Sequence, residues 1–296
     1  MPPKRKRAAK PAKADAAAAS PAASPAAASP AAADSPADAG PAPPKDGDEH
    51  LYSDASYWAD RYVSEAAGEG GGFEWFLSYE SLQPLLAGPA NKRKSKAVLD
   101  LGCGNSKLLV DMRADGFEGR LVAVDFVESA LETQRKLGAE EKGIELLRTD
   151  VRSTPFADES FDLIVDKGTV DAMISAKKGG AANVSAAMKE AARLLKHGGR
   201  LCVCSHHRVD SEGDPREDDW FGAVFTGLAS HGGRGGAGWA VDVHFVDAAD
   251  GGQLPTVYFF TKRRLARKRG KRSANDDDDF DMRLHDHTED SSEDED

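Results

Sequence analysis

The sequence predicts an α/β domain built on a mostly parallel β-sheet, with a disordered tail on either side. From residue 96 onward, short apolar runs of strand composition alternate with stretches of helical periodicity. The first of these runs ends in a glycine turn, and aspartates stand at the carboxyl ends of the next ones. Such alternation typically produces parallel strands whose sheet is covered by helices on both faces.

The individual elements follow in order along the chain. Seven runs have strand composition, and they lie at 96–102, 120–126, 144–150, 161–166, 200–207, 239–246 and 256–263. Helical patterns lie between the earlier runs, at 105–116, 128–137 and 181–196. The last two runs have no helix between them, so they are predicted to pair as an antiparallel hairpin at the sheet edge. Upstream, apolar and aromatic residues recur at helical spacing in 57–62 and 73–86.

Composition confines the folded domain of the 296-residue chain to residues 51–261. Residues 1–50 are rich in Ala and Pro and poor in aromatic and β-branched residues, so they lack the apolar surface that would offset the entropy of ordering. Residues 262–272 carry eight basic residues, and residues 275–296 carry twelve acidic residues against one arginine. The segments 1–50 and 262–296 are therefore predicted to be disordered.

Charge and cysteine content exclude several classes of protein. The net charge is −11. The charges of the tails nearly cancel one another, so most of this negative charge lies in the domain. An acidic domain is a poor surface for a phosphate backbone. Three cysteines give no disulfide framework. No apolar run is long enough to span a bilayer, and the first residues lack a secretory signal. We expect a monomer in the cytoplasm or the nucleus that binds neither membrane nor nucleic acid through its domain.

The stretch "VLDLGCGNS" (98–106) combines a strand, a glycine turn and a helix start. Gly102 and Gly104 allow a tight turn and close approach of a ligand to the backbone. Asp125 ends the next strand, where a carboxylate can accept hydrogen bonds from both hydroxyls of a ribose. The combination predicts a cofactor that contains a nucleoside.

The residues around this turn favour a cationic cofactor over a dinucleotide. A dinucleotide site normally has a third glycine beneath the pyrophosphate, but position 107 is Lys. Asp100, two residues before the first glycine, would repel a pyrophosphate and attract an α-amino group and a sulfonium. S-adenosylmethionine has both cations and no phosphate, so we expect it as the cofactor.

Several segments together resemble the class I, seven-strand S-adenosylmethionine-dependent methyltransferases, whose sheet is Rossmann-like. They are "DLGCGNS", "AVDF", "TDVRSTPFADESFDLIVDKGTVDA" and the upstream "YWADRY" and "FEWF". The resemblance covers 52–207 and is closest to the methyltransferase-like branch that includes lysine methyltransferases of elongation factor 1-alpha. It implies an enzyme that methylates lysine on a protein substrate, with this translation factor as the partner.

The resemblance also implies cofactor-binding roles for individual residues. Gly102 would lie against the cofactor, Asp125 would hold the ribose, and Lys167 would lie nearby. Phe126, Asp150 and Val151 would frame the adenine. Three N-terminal aromatics would close over the cofactor, namely Trp58, Tyr62 and Trp75. For these aromatics, packing in the core is the alternative.

Two acids in "DLIVDKGTVDA" (162–172) are the catalytic candidates. Asp166 ends the fourth strand, which is predicted beside the first, so it would lie near the transferable methyl group. A carboxylate there could orient the substrate amine and, with water, take its proton. Asp171 is predicted as an auxiliary group. Its alternative is an acid that stabilises the first turn of a helix through the macrodipole.

The stretch "CVCSHH" (202–207) places Cys202, Cys204 and His206 on one face of a strand. A metal site would need further ligands from elsewhere, and no partner cysteines are evident, so we predict core cysteines and no metal. His206 and His207 could line the mouth through which a substrate enters. Two other functions stay open at this point: a small-molecule methyltransferase, and a non-catalytic scaffold that binds the cofactor for stability.

Overall fold

The computed structural model describes residues 49–67, 74–86, 95–208, 219–230, 237–247, 253–264 and 280–286. Its strands are β1 Val98–Leu101, β2 Leu121–Asp125, β3 Ile144–Arg148, β4 Phe161–Lys167, β5 Leu195–Ser205, β6 Ala237–Asp247, β7 Gln253–Arg264 and β8 Phe280–Asp286. After a 3-10 helix at Glu49–Ser53, the helices are α1 Ala55–Ala67, α2 Tyr79–Leu86, α3 Leu108–Ala114, α4 Glu128–Lys136, α5 Thr169–Ile174, α6 Gly180–Leu194 and α7 Asp219–Ser230.

The strands form one mixed sheet in the order β3-β2-β1-β4-β5-β7-β6-β8. Strands β1 to β5 are parallel, and β7 runs antiparallel to both β5 and β6. The predicted α/β fold with seven strands, a mostly parallel sheet and an antiparallel hairpin near one edge is therefore confirmed. Beyond the seven, β8 pairs in parallel with β6.

Burial along the strands explains why the apolar runs were visible in the sequence. Every residue of β1 and β2 is buried, as expected for central parallel strands with helices on both faces. The outer strand β3 has only its first residue buried. One apolar layer joins the sheet to α6 and α7, and a second joins its other face to α2, α3 and part of α4.

The register of the sheet brings three strand ends together. Leu101, the last residue of β1, lies beside Val124 on β2 and Asp166 on β4. The glycine turn after β1 therefore begins at the same edge where Asp125 and Lys167 end their strands. In sheets of this type, ligands bind outside the carboxyl ends of the strands.

The carboxyl-terminal part of the chain departs from the prediction. β7 runs to Arg264, past the predicted boundary at 261, and β8 lies within the segment predicted to be a disordered tail. Lys262, counted in the sequence as the first charge of the basic run, is 2% exposed. Its ammonium donates hydrogen bonds to the carbonyls of Ala192 (2.8 Å) and Leu195 (2.7 Å). The strand predicted at 256–263 is thus present and ends one residue later, but the domain boundary at 261 was placed inside it and Lys262 is internal.

Two further features concern helices. α7 lies inside the Gly- and Asp-rich segment 208–238, for which no helix was predicted. Across the described part of the chain, every helix is too short or too polar to cross a bilayer. The predicted disorder of residues 1–48 concerns positions outside the described residues.

Candidate active site

A cavity of about 710 Å³ opens at the carboxyl ends of β1, β2 and β4. Roughly 300–1,000 Å³ is typical of sites for cofactors and small ligands. Predicted site residues in its wall are Trp58, Tyr62, Trp75, Asp100, Gly102, Gly104, Asp125, Phe126, Asp150, Val151, Lys167 and Asp171. Asp166 is not among the lining residues. The structure thus brings together twelve of the thirteen predicted positions, whose individual roles stay predictions.

The glycine turn forms the floor of the cavity. Gly102 and Gly104 have φ angles of +67° and +49°, in the region that favours glycine. A Cβ on Gly102 would lie 2.2 Å from Thr169 Oγ1, and one on Gly104 would lie 2.7 Å from the Tyr62 hydroxyl. Both positions therefore require glycine because neighbouring protein atoms approach the backbone closely.

Asp125 ties the end of β2 to this turn. Its carboxylate accepts hydrogen bonds from the backbone N–H of Gly104 (3.0 Å) and of Val127 (2.9 Å), and the residue is 3% exposed. Burial raises its pKa to about 6, against the lowering effect of those two donors. A carboxylate can accept about four hydrogen bonds, which leaves capacity for ribose hydroxyls.

Asp100 lies on the same wall and is 2% exposed. Burial raises its pKa to about 7, the Lys167 ammonium lowers it, and the Glu74 and Asp125 carboxylates raise it further. Lys167, however, forms a buried salt bridge with Glu74 and also donates to the carbonyl of Leu77 (3.2 Å). The Lys167 ammonium is thus bound to a carboxylate, that of Glu74, which does not line the cavity.

Glu74 is a structural residue that the sequence analysis missed. Besides Lys167, its carboxylate accepts from the Ser106 hydroxyl (3.0 Å) and from the backbone N–H of Lys107, just before α3. It therefore links the N-terminal segment to the glycine turn and to β4. Gln134 supports the same turn from below by donating to the carbonyls of Gly104 (2.9 Å) and Ser106 (2.8 Å).

The N-terminal aromatics form one side of the cavity. Trp58 and Tyr62 stack with ring centroids 5.6 Å apart, and Trp75 lies 5.8 Å from Trp58 in an edge-on arrangement. The Trp58 indole donates to the carbonyl of Tyr52 (2.6 Å), which fixes the start of this cluster. These rings line the cavity and also pack against one another. The arrangement is therefore compatible with both predicted roles, closure over the cofactor and packing in the core.

The far end of the cavity contains Phe126, Asp150, Val151 and Arg152. Phe126 is 44% exposed, an unusual state for a large apolar side chain. The Asp150 carboxylate forms a salt bridge with the Arg152 guanidinium (2.6 Å), whose hydrogen bonds lower the Asp150 pKa. An adenine amino group would therefore meet a carboxylate that Arg152 already holds in place.

Asp166 does not line the cavity. Successive side chains of a strand point to opposite faces, and Lys167 takes the cavity side. The Asp166 carboxylate, fully buried, accepts from the backbone N–H of Val170 (3.1 Å) at the start of α5. Burial raises its pKa well above the usual range, and the nearby Asp171 raises it further. This placement favours a structural role for Asp166 over direct contact with a substrate.

Asp171 does line the cavity, and its carboxylate accepts from three donors and contacts the ring of His206. Oδ1 accepts from the Ser205 hydroxyl (2.7 Å) and from the Trp220 indole (2.9 Å). Oδ2 accepts from the backbone N–H of His206 (3.0 Å) and lies 2.8 Å from His206 Nδ1. Trp220, which the sequence analysis did not single out, thus anchors a site acid from α7.

The residues of "CVCSHH" separate into two groups. Cys202 and Cys204 are fully buried in the core, as predicted. His206 and His207 line the cavity, with ring centroids 4.3 Å apart. Ligand atoms of Asp171, His206 and His207 lie within 4.8 Å of one another. Three donors and the contact with His206 Nδ1 already use most of the acceptor capacity of the Asp171 carboxylate.

Known proteins similar to this chain are methyltransferases. A family profile described as a methyltransferase domain matches residues 92–226. EEF1A lysine methyltransferase 4 of Mus musculus is 31% identical over 178 residues, which cover 56% of this chain and 68% of the mouse protein. An eEF1A lysine and N-terminal methyltransferase homolog of Drosophila melanogaster is 33% identical over 162 residues, which cover 53% of this chain and 22% of the fly protein.

Among solved structures, the sequence identity is lower. The chain aligns with a TehB-like SAM-dependent methyltransferase from Corynebacterium glutamicum with a TM-score of 0.45 and 18% identity. That alignment covers 71% of this chain and 98% of the bacterial one.

Proposed function

This chain belongs to the S-adenosylmethionine-dependent methyltransferases, and from that premise we propose that it methylates lysine side chains of elongation factor 1-alpha. The names of the mouse and fly relatives support this substrate. The observation that carries the proposal is the cavity itself, where the glycine turn, Asp125 and the Asp171 region converge on one space.

The residues of the cavity fit the cofactor. Asp125 is a buried carboxylate with acceptor capacity beside a turn that only glycine can form, which suits a ribose. Phe126 and Val151 offer apolar surface to an adenine. Asp100 is a buried acid near which a cation is favourable. When bound, S-adenosylmethionine supplies an electrophilic methyl group on a sulfonium.

A lysine side chain suits the remaining part of the cavity. Phe76, Met173 and Ile174 provide apolar surface for its methylene chain. Asp171 and His206 lie on the same side, so the charged end of the lysine meets polar groups. Methyl transfer is an in-line displacement whose main requirement is orientation. The apolar surface and the polar side of the cavity would together orient the lysine.

The test is transfer of radiolabelled methyl from S-adenosylmethionine to elongation factor 1-alpha produced in bacteria, with mass spectrometry to locate the label. We expect label on lysine with the wild-type chain and at least tenfold less with Asp125→Ala. Label on another protein would replace the proposed substrate. Label on a metabolite alone would indicate a small-molecule methyltransferase, and cofactor binding without any transfer would indicate a scaffold.

A further inference from the structure

We propose that His206, held by Asp171, is the group that removes the proton from the substrate lysine. The inference rests on the proposed function, because a lysine ammonium must lose a proton before its nitrogen can attack carbon. The catalytic role thus belongs to His206 and not to either of the acids predicted from the sequence, Asp166 and Asp171. Asp171 becomes a positioning residue.

The Asp171 carboxylate has little acceptor capacity left for a substrate ammonium. An ionised carboxylate accepts about four hydrogen bonds. Three of those positions are used by the Ser205 hydroxyl, the Trp220 indole and the backbone N–H of His206, and His206 Nδ1 lies 2.8 Å from Oδ2. To bind a substrate ammonium, Asp171 would have to break a contact in a buried network. Its side chain is only 6% exposed.

The contact with Asp171 determines which ring nitrogen of His206 carries the proton. A carboxylate that already accepts three N–H or O–H donors can contact Nδ1 favourably only if Nδ1 also donates. In a neutral imidazole, donation from Nδ1 makes Nε2 the basic nitrogen. Asp171 therefore selects the tautomer whose base is on the far side of the ring from the carboxylate.

His206 lies at the cavity wall, against the buried Asp171 carboxylate. The His206 side chain is 64% exposed and lines the cavity, whereas the Asp171 carboxylate behind it is buried. His206 follows directly after β5, which pairs with β4 through Lys167 and Cys204, so it stands at the edge where the predicted cofactor site ends. Its ring centroid lies 6.5 Å from that of Phe76, across from the apolar wall. Most of the His206 side chain is thus exposed where it lines the cavity.

The chemical step balances without any further reactant. His206 Nε2 takes one proton from the lysine ammonium and becomes an imidazolium. The lysine nitrogen then forms a bond to the methyl carbon as the carbon–sulfur bond breaks, and the electron pair of that bond stays on sulfur. The imidazolium, stabilised by the Asp171 carboxylate, releases its proton to solvent.

The first measurement is spectroscopic and needs no substrate. In the full chain labelled with ¹⁵N-histidine, the ring nitrogen shifts of His206 distinguish the two tautomers. We expect the neutral ring to carry its proton on Nδ1, and the Nδ1–H fraction to fall in Asp171→Asn. A wild-type ring that carries the proton on Nε2 would overturn the proposal.

The second measurement is kinetic, on the acceptor protein that the wild type labels. His206→Ala should lower kcat about 100-fold, the usual contribution of a general base, with KM for the acceptor within about twofold. Added imidazole should restore activity in proportion to its concentration, which a structural defect would not allow. The matched control is His197→Ala, a histidine near the opposite end of β5, whose kcat should equal that of the wild type.

The outcomes separate the two proposals. If the wild type labels lysine and His206→Ala retains kcat within threefold, or does not respond to imidazole, the role of His206 is refuted while the proposed function stands. If the wild type labels no lysine, the proposed function fails and this inference fails with it, even where the tautomer is as expected. Should Asp171→Asn not fold, the wild-type tautomer and His206→Ala decide together.

Discussion

Asp100→Asn in the cofactor-free protein should increase stability at alkaline pH and not at acidic pH. Asp100 is 2% exposed, and its pKa is raised from 3.8 to about 7, chiefly by burial. Between these two pH values the folded chain holds a proton that the unfolded chain has released. The contribution of Asp100 to stability is therefore complete below pH 4 and is lost as the pH rises through 7.

The magnitude follows from the linkage relation. Each pH unit over which one proton is held only in the folded state changes the free energy of unfolding by about 1.4 kcal/mol. From pH 5.5 to 8.5, that condition applies over about 1.5 pH units, up to the folded pKa. The wild type should thus lose about 2 kcal/mol relative to Asp100→Asn, whose amide does not titrate.

Urea denaturation of the two proteins at pH 5.5, 7.0 and 8.5 measures this difference. All other titrating groups are common to both proteins and cancel to first order, although Lys167, Glu74 and Asp125 interact with Asp100 directly. We expect the difference in unfolding free energy to change by about 2 kcal/mol, mostly below pH 7. Parallel curves, with a difference constant to about 0.5 kcal/mol, would refute the assignment of a buried, proton-binding Asp100.

Three other predictions use calorimetry or denaturation. Asp125→Ala should weaken the binding of S-adenosylhomocysteine at least tenfold, while the exposed Glu132→Ala should leave it unchanged. Wild-type affinity should fall about fivefold from pH 6 to 5, because the pKa of Asp125 is about 6 and its ionised form binds. Equal affinities would remove Asp125 from the site. Gly143→Ala should lower the free energy of unfolding by about 1–2 kcal/mol because of its positive φ. Gly102→Ala should lower it clearly more, because Gly102 has a positive φ and also a close neighbour. Equal losses would contradict this. Lys262→Met should cost about 1–3 kcal/mol by leaving two buried carbonyls without a donor, and an unchanged midpoint in urea would contradict the burial of the ammonium.

Local patterns predicted the parts of the fold that local patterns control. The buried strands β1 and β2 are continuous apolar runs because helices cover both of their faces. Gly102 and Gly104 were recognisable because the turn requires positive φ, and Asp125 because it ends the adjacent strand. These features depend on composition within a few residues and on the parallel order of neighbouring strands.

What the sequence could not reveal depends on contacts between distant residues. Glu74 gains its importance from Ser106 and Lys167, which lie 32 and 93 positions away. Lys262 is internal only because the carbonyls of Ala192 and Leu195 meet it. One signal was present but not used: adjacent strand residues face opposite sides, so Asp166 and Lys167 could not both point into one cavity.

The buried acids at this edge of the sheet connect folding with cofactor binding. Asp171 is held by three donors and the His206 ring, whereas Asp100 and Asp125 have raised pKa values because burial disfavours their charge. The nearest ammonium, on Lys167, is bound to Glu74. Arg152, which also lines the cavity, is bound to Asp150, so both of these cations are paired in the free protein and a cationic ligand would add positive charge beside Asp100. It follows that one substitution, Asp100→Asn, should stabilise the free chain at alkaline pH and also weaken the binding of a cationic ligand. Effects of opposite sign are expected when a buried acid is maintained for ligand binding at a cost in stability.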